Sequence, residues 1–245
     1  MGFPRMRVFA GPNGSGKTTI LNNLKSEIPF GVYVNADDIQ LLLQESKVLL
    51  FSSFQINVLN EKLQSFFKKS SFAPVKRNDS NLWEKLEVCK NILKVNTTID
   101  SYLAADLADF IRKELVEARI SFTFETVMSH QSKIDFMKTS KAAGYKVYLY
   151  YVSTEDFLIN ISRVNLRVAQ NGHYVAPNTI ETRYFKSLNY LANALSESDD
   201  ACLWDNSGSV SRYFCNVTNG ANVVIVDDEY VPNWFSKYVI NKIKK

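Results

Sequence analysis

The sequence predicts an α/β fold in which helices cover both faces of a mostly parallel sheet, a three-layer α/β/α arrangement. Short apolar runs alternate with helical stretches along most of the chain. This alternation is typical of a parallel sheet, because parallel neighbours need a crossover connection between them. The chain has 245 residues, of which 46% are hydrophobic and 22% charged. Such a chain can bury a core without disulfides or metals, so we predict one domain over residues 1–245.

The predicted strands are short apolar runs that end at glycine or polar residues. They are Arg7–Ala10, Val32–Asn35, Ser121–Phe124, Lys146–Val152, Ala201–Trp204 and Asn222–Val226. Helices are predicted between them where apolar residues recur with helical spacing, as in Leu103–Leu115 and Ile180–Leu195.

Residues 45–100 interrupt this alternation. Two helices are predicted here, around Leu50–Phe67 and Leu82–Val95, with a polar break between them. We therefore predict that residues 45–100 form a helical insertion within the domain.

Charge and cysteine content exclude several classes of protein. The net charge of +4 suits an anionic ligand but argues against a dedicated nucleic-acid binder. The three cysteines show no C-x-x-C spacing, which argues against a disulfide framework or a zinc site. The sequence shows neither a signal peptide nor an apolar run long enough to span a bilayer, so we expect a cytoplasmic protein without membrane contact.

The segment from Gly11 to Thr18 fits the phosphate-binding pattern G-x-x-x-x-G-K-[ST] at every position. Glycines allow backbone N–H groups to surround phosphate oxygens, and the following helix adds the positive end of its dipole. Lys17 would reach the β- and γ-phosphates, and the Thr18 hydroxyl would be a ligand of Mg²⁺. The predicted ATP-binding residues are Gly11, Pro12, Asn13, Gly14, Ser15, Gly16, Lys17, Thr18 and Thr19.

Acidic residues follow two of the predicted strands, on the side where ligands of α/β sheets bind. Asp37 could accept the proton of an attacking hydroxyl or hold magnesium through water. The structural alternative is that Asp37 or Asp38 caps the following helix. Glu125 and Thr126 could bind substrate hydroxyls or magnesium, and the alternative is that they are ordinary polar residues of a loop.

Two arginines, Arg163 and Arg167, stand four positions apart in a helical segment and would share one face. Guanidinium groups facing a triphosphate would neutralise the charge that develops during transfer. The alternative is a pair of solvated helix arginines.

Several ordered motifs together resemble the zeta-toxin family of P-loop kinases. They include the stretch from Phe9 to Thr18, Asn35-Ala36-Asp37, Phe124-Glu125-Thr126, the region from Gly144 through Arg163, Arg167, Gly172-His173 and Arg183 to Leu188, and Asp205-Asn206-Ser207-Gly208.

This resemblance implies an adenylate-kinase-like core that moves the γ-phosphate of ATP to a sugar hydroxyl. In the family's characterised toxins the acceptor is UDP-N-acetylglucosamine, and an antitoxin protein is a candidate partner. Asp37 would be the general base, Lys17 a phosphate ligand and Glu125 and Thr126 substrate contacts. Arg163 and Arg167 would belong to the lid over ATP.

Two other functions remain open from the sequence. Val223–Glu229 is similar to the apolar strand and acidic pair of motor-type or ABC-type ATPases that act on nucleic acid or protein. The apolar residues of the insertion would also suit a nucleotide-gated interaction module with little turnover.

Overall fold

The computed structural model describes residues 2–170, 172, 174–227 and 229–243. The chain divides into two compact units. The first unit contains Met1–Phe30 and Thr123–Lys245, and the second contains Gly31–Phe122. The second unit is longer than residues 45–100, because it also includes residues 31–44 before them and residues 101–122 after them. The domain boundaries given above stay a prediction.

The strands follow one another along the chain as β1 (Arg5–Ala10), β2 (Val32–Val34), β3 (Val48–Leu50), β4 (Leu86–Cys89), β5 (Ile92–Val95), β6 (Phe122–Thr126), β7 (Lys146–Ser153), β8 (Asp200–Asp205), β9 (Arg212–Thr218) and β10 (Asn222–Ile225).

The helices are α1 (Lys17–Leu24), α2 (Ala36–Ser46), α3 (Asn60–Lys69), α4 (Ala73–Lys76), α5 (Ser101–Glu117), α6 (Gln131–Ala142), α7 (Phe157–Ala169), α8 (Pro177–Ser196), α9 (Asn233–Phe235) and α10 (Asn241–Ile243). Short 3₁₀ turns form at Phe51–Phe54 and Leu82–Lys85, and a π-helical turn at Ser236–Ile240 joins α9 to α10.

The first unit is built on a sheet with the strand order β10-β9-β8-β7-β1-β6. The central pairs β1–β7 and β7–β8 are parallel, whereas β8–β9 and β9–β10 are antiparallel. The side chains of β1 from Met6 onwards are buried, as expected for a strand covered on both faces. The predicted α/β fold with a mostly parallel central sheet is confirmed.

The second unit contains a small antiparallel sheet with the order β3-β5-β4. Its core includes an aromatic cluster in which the rings of Phe51 and Phe66 lie 6.0 and 5.3 Å from that of Phe110 on α5. The helix predicted over Leu82–Val95 is wrong, because most of this segment forms the strands β4 and β5. Lys90 and Asn91 both adopt positive φ, at 49° and 64°, which turns the chain into a two-residue hairpin between β4 and β5.

The predicted helix over Leu50–Phe67 is also too long. The chain first forms β3 and a 3₁₀ turn, and α3 begins only at Asn60. In the first unit, β9 was not predicted from the sequence. In the part of the chain that the structure describes, no helix is both long and apolar enough to cross a membrane.

Candidate active site

The phosphate-binding loop (P-loop, Gly11–Thr18) connects β1 to α1, as predicted. All three of its glycines have positive φ, at 142° for Gly11, 75° for Gly14 and 97° for Gly16. Other residues rarely adopt these conformations, so the glycines permit the tight turn. Gly16 is the N-cap residue of α1, and the backbone N–H groups of Thr19 and Ile20 both donate to its carbonyl.

Lys17 and Thr18 begin α1 at the mouth of the P-loop. The Lys17 ammonium donates to the Pro12 carbonyl at 2.8 Å, so its side chain lies across the loop. The Thr18 hydroxyl donates to a Glu125 carboxylate oxygen at 2.8 Å. The loop and the end of β6 also meet through the backbone, where the Gly11 N–H donates to the Thr126 carbonyl at 3.3 Å. The structure thus brings together the P-loop and the Glu125–Thr126 pair.

The Thr18 hydroxyl and the Glu125 carboxylate form a pair of oxygen donors that fits Mg²⁺. Magnesium keeps several waters and is usually held by one or two protein oxygens together with substrate phosphates, rather than by a complete protein cage. Among the described residues no group of three or more His, Cys, Asp or Glu could hold a metal ion. A magnesium ion at Thr18 and Glu125 would therefore depend on the nucleotide for its remaining ligands.

Two asparagines that sequence reasoning missed hold the outside of the P-loop. Asn160 on α7 donates through Nδ2 to the Asn13 carbonyl at 2.7 Å. Asn206, directly after β8, donates through Nδ2 to the Ser15 carbonyl at 2.8 Å. Asn206 belongs to the motif Asp205-Asn206-Ser207-Gly208 and closely follows a predicted strand. These two features could have identified it as a site residue from the sequence. Asn160 gives no such signal.

Arg163 binds the loop that contains Asn206. Its guanidinium donates to the Asn206 carbonyl at 2.7 Å and to the Gly208 carbonyl at 3.1 Å. Arg167 lies one helical turn further along α7 and is exposed. The role of both arginines in catalysis stays a prediction. His173, named in the sequence resemblance, lies outside the described residues.

Asp37 and Asp38 lie in the first turn of α2, in the second unit, and both are exposed. Neither caps the helix: the N-cap is Asn35, whose side chain accepts from the Asp37 N–H at 2.9 Å. The helix-capping alternative is therefore wrong, and the role of Asp37 as a base stays a prediction. Next to it, a cavity of about 130 Å³ is lined by Tyr33, Asn35, Asp38, Ile39, Leu42 and Phe54.

The acidic segment that favoured a motor-type ATPase follows the edge strand β10. Three strands, β9, β8 and β7, lie between β10 and the P-loop strand β1. Asp227 therefore follows a strand far from the P-loop, where it cannot hold a phosphate-bound magnesium. Its neighbour Asp228 lies outside the described residues. The geometry of the sheet thus argues against this alternative.

The middle and C-terminal part of the chain matches a known protein family. Residues 98–218 match the family model described as Zeta toxin. The matched segment contains Glu125, Thr126, Arg163, Arg167 and Asn206, whereas the P-loop and Asp37 precede it. The resemblance to the zeta-toxin family of P-loop kinases is confirmed.

Two solved structures are similar in fold to nearly all of this zeta-toxin-like chain. A crystal structure of AvrRxo1-ORF1:-ORF2 with ATP aligns at a TM-score of 0.55 with 12% identity, covering 96% of this chain and 63% of that one. A toxin–antitoxin structure of the PezAT system of Streptococcus pneumoniae aligns at 0.53 with 14% identity, covering 98% of this chain and 80% of that one.

A curated protein of Haemophilus influenzae, described as uncharacterized, is 35% identical over 69 residues. That alignment covers 28% of this zeta-toxin-like chain and 49% of the relative. The chain thus matches about half the length of this relative.

Proposed function

We propose that this chain is an ATP-dependent kinase that transfers the γ-phosphate to a hydroxyl group of a small molecule. The observation that carries the proposal is the contact between the P-loop residue Thr18 and Glu125. A P-loop alone indicates nucleotide binding. The Glu125 carboxylate, held against the Thr18 hydroxyl, would complete a site for Mg²⁺ beside the phosphates. Enzymes that transfer phosphoryl groups need such a site, because they act mainly by positioning the reactants and neutralising charge.

The P-loop residues would bind and neutralise the triphosphate. Lys17 can turn its ammonium from the Pro12 carbonyl to the β- and γ-phosphates, since both positions lie at the same loop. The N-terminus of α1 adds the partial positive charge of its helix dipole. The Thr18 hydroxyl and Glu125 would hold Mg²⁺, which supplies positive charge to the phosphate oxygens when it is bound.

On the acceptor side we propose Asp37 as the general base. A carboxylate takes the proton of the attacking hydroxyl as the bond to phosphorus forms. The cavity beside Asp38 is a candidate site for part of the acceptor: Tyr33 and Phe54 supply apolar surface, and Asn35 and Asp38 supply polar groups. A nucleotide sugar such as UDP-N-acetylglucosamine is the acceptor that the family resemblance supports.

An antitoxin protein is the proposed partner. The support is that a structurally similar protein, from the PezAT system, is described as part of a toxin–antitoxin system. Co-expression with a neighbouring gene product, followed by co-purification, would test this partner directly.

Product identification tests the proposed reaction. The protein is incubated with Mg²⁺, γ-labelled ATP and a panel of nucleotide sugars, nucleosides and small alcohols. We expect label in one class of organic phosphate. Label found only in inorganic phosphate, with every acceptor, would contradict the kinase proposal and favour an ATPase.

A further inference from the structure

We propose that Asn160 and Asn206 are positioning residues that aim two backbone N–H groups of the P-loop at bound phosphates. The inference rests on the proposed function, because it concerns the same phosphate site. It assigns a task to two side chains that lie outside the P-loop sequence itself.

The geometry of the peptide bond connects each asparagine to one N–H group. In a trans peptide the carbonyl of one residue and the N–H of the next point in opposite directions. Asn160 holds the Asn13 carbonyl from the outside of the loop, which turns the Gly14 N–H to the opposite side. Asn206 holds the Ser15 carbonyl and turns the Gly16 N–H in the same way. The two side chains thus fix alternate peptide planes of one loop.

Asn160 is itself held by a buried chain of hydrogen bonds. It is fully buried, and its Oδ1 accepts from the Thr154 hydroxyl, which leaves Nδ2 to face the P-loop. The Thr154 carbonyl accepts from the Tyr184 hydroxyl at 2.6 Å. Burial raises the pKa of Tyr184, so this phenol stays protonated and remains a donor.

Asn206 is fixed through its backbone rather than through its side chain. Its N–H donates to the Ser153 carbonyl at 2.8 Å, and its own carbonyl accepts from Arg163. The preceding residue, Asp205, is buried and accepts from the indole of Trp234 at 2.7 Å. These contacts leave the Asn206 amide little freedom to turn away from Ser15.

The glycines of the P-loop make room for both asparagines. A Cβ added at Gly14 would lie 2.6 Å from the Asn160 carbonyl oxygen, and one added at Gly16 would lie 2.2 Å from Asn206 Nδ2. Both distances are well below the van der Waals separation between a carbon atom and an oxygen or nitrogen atom. The loop therefore needs glycine at these positions both for its backbone angles and for the close approach of the two asparagine residues.

The test compares binding of inorganic tripolyphosphate and ATP to the intact chain and to Asn160→Asp and Asn206→Asp. The substitution keeps the shape of the side chain and replaces the donor by a carboxylate oxygen. We expect each variant to bind both ligands about tenfold more weakly or worse, the loss expected for a misdirected charge-assisted hydrogen bond. Asn165→Asp, on the exposed face of α7, adds the same charge and should bind as the intact chain does.

A pH profile separates positioning from a merely structural role. Burial raises the pKa of an aspartate at position 160, so the side chain takes up a proton on acidification and regains a donor for the Asn13 carbonyl. Relative to the intact chain at the same pH, Asn160→Asp should recover affinity between about pH 7.5 and pH 5.5, and Asn160→Ala should not. Thermal unfolding of each unliganded variant establishes that it is folded at the binding temperature.

The possible results are distinguishable. If the intact chain binds ATP and the folded Asn206→Asp variant binds it equally well, the positioning role is contradicted and the kinase proposal stands. Variants that unfold more easily but bind normally while folded also contradict it. If the intact chain binds neither ATP nor tripolyphosphate, the proposed function fails and takes this inference with it.

Discussion

The Thr18 hydroxyl donates a 2.8 Å hydrogen bond to the Glu125 carboxylate, although the two residues are 107 positions apart in the chain. The contact exists because α1 begins at the end of β1 and Glu125 lies near the end of β6, the neighbouring strand. It joins the two residues that would hold magnesium, so substitutions at either one should change how transfer depends on the metal.

Glu125→Gln should raise the Mg²⁺ concentration that half-maximal phosphoryl transfer requires, by about tenfold, because the amide keeps the hydrogen bond with Thr18 but loses the negative charge. The measurement is the rate of transfer against Mg²⁺ at saturating ATP. A variant with unchanged Mg²⁺ dependence would show that Glu125 has no part in holding the metal.

Asp37→Asn should lower the rate of transfer by about 100-fold or more while ATP binding stays near normal, since the amide cannot accept the proton of the acceptor. Glu45→Gln is the control, because Glu45 is an exposed carboxylate on the same helix and does not line the cavity. The comparison uses single-turnover rates and ATP affinity. If Asp38→Asn is the more damaging change, the base is Asp38 and the assignment is wrong.

The P-loop, and the place of Glu125 at the ligand-binding edge of the sheet, could be predicted from local rules. The contact between Glu125 and Thr18 could not, because it depends on β6 lying next to β1. The motif occupies consecutive residues, and polar residues at the carboxyl ends of neighbouring strands meet at one edge of a sheet. Asn160 could not be found in this way. It is one asparagine within a helix, and only the folded chain brings its amide to the carbonyl of Asn13, 147 positions away.

The two helices predicted within residues 45–100 were wrong for a different reason. Leu86–Val95 is too short for alternation to be distinguished from a helical pattern, and the turn residues Lys90 and Asn91 are not the glycine-containing pair that usually indicates a hairpin. The first of the predicted helices failed because Leu50 ends β3 and Phe51–Phe54 form a 3₁₀ turn. Phe51 is buried there whereas Leu50 is 48% exposed, so these apolar residues do not form one buried helical face.

Phe54→Ala should raise the KM for the acceptor by about tenfold and leave the KM for ATP unchanged, because the side chain lines the cavity beside Asp38. Phe72→Ala is the control: this phenylalanine belongs to the same 45–100 segment, is 41% exposed and does not line the cavity. Steady-state kinetics with the identified acceptor give both constants. Equal effects of the two substitutions would exclude the cavity as an acceptor site.

Asp106 provides a prediction about stability. Its side chain is buried and accepts from the Ser70 hydroxyl at 2.5 Å and from the Ala73 N–H at 2.9 Å. Burial raises the pKa of Asp106, because desolvation penalises the charged form. Between its ordinary pKa and the raised value, the folded chain binds more protons than the unfolded chain. The contribution of Asp106 to the free energy of unfolding therefore falls as pH rises through that range.

Asp106→Asn keeps the acceptor oxygen and cannot ionise, so the free energy of unfolding of the intact chain should decrease relative to this variant as pH rises from about 3.5 to 7. Asp106→Ala should lose about 1–3 kcal/mol, since the Ala73 N–H is left without its acceptor. Urea unfolding across this pH range measures both effects. A difference between the intact chain and Asp106→Asn that does not change with pH would contradict the raised pKa.

Transfer of labelled γ-phosphate by Lys17→Ala tests the central claim most directly. Lys17 supplies a positive charge to the β- and γ-phosphates, so its removal should reduce transfer by about 1,000-fold or more and weaken ATP binding. Lys25→Ala removes an exposed lysine at the other end of α1 and should leave transfer near that of the intact chain. Near-normal transfer by Lys17→Ala would contradict the assignment of this loop as the phosphate site.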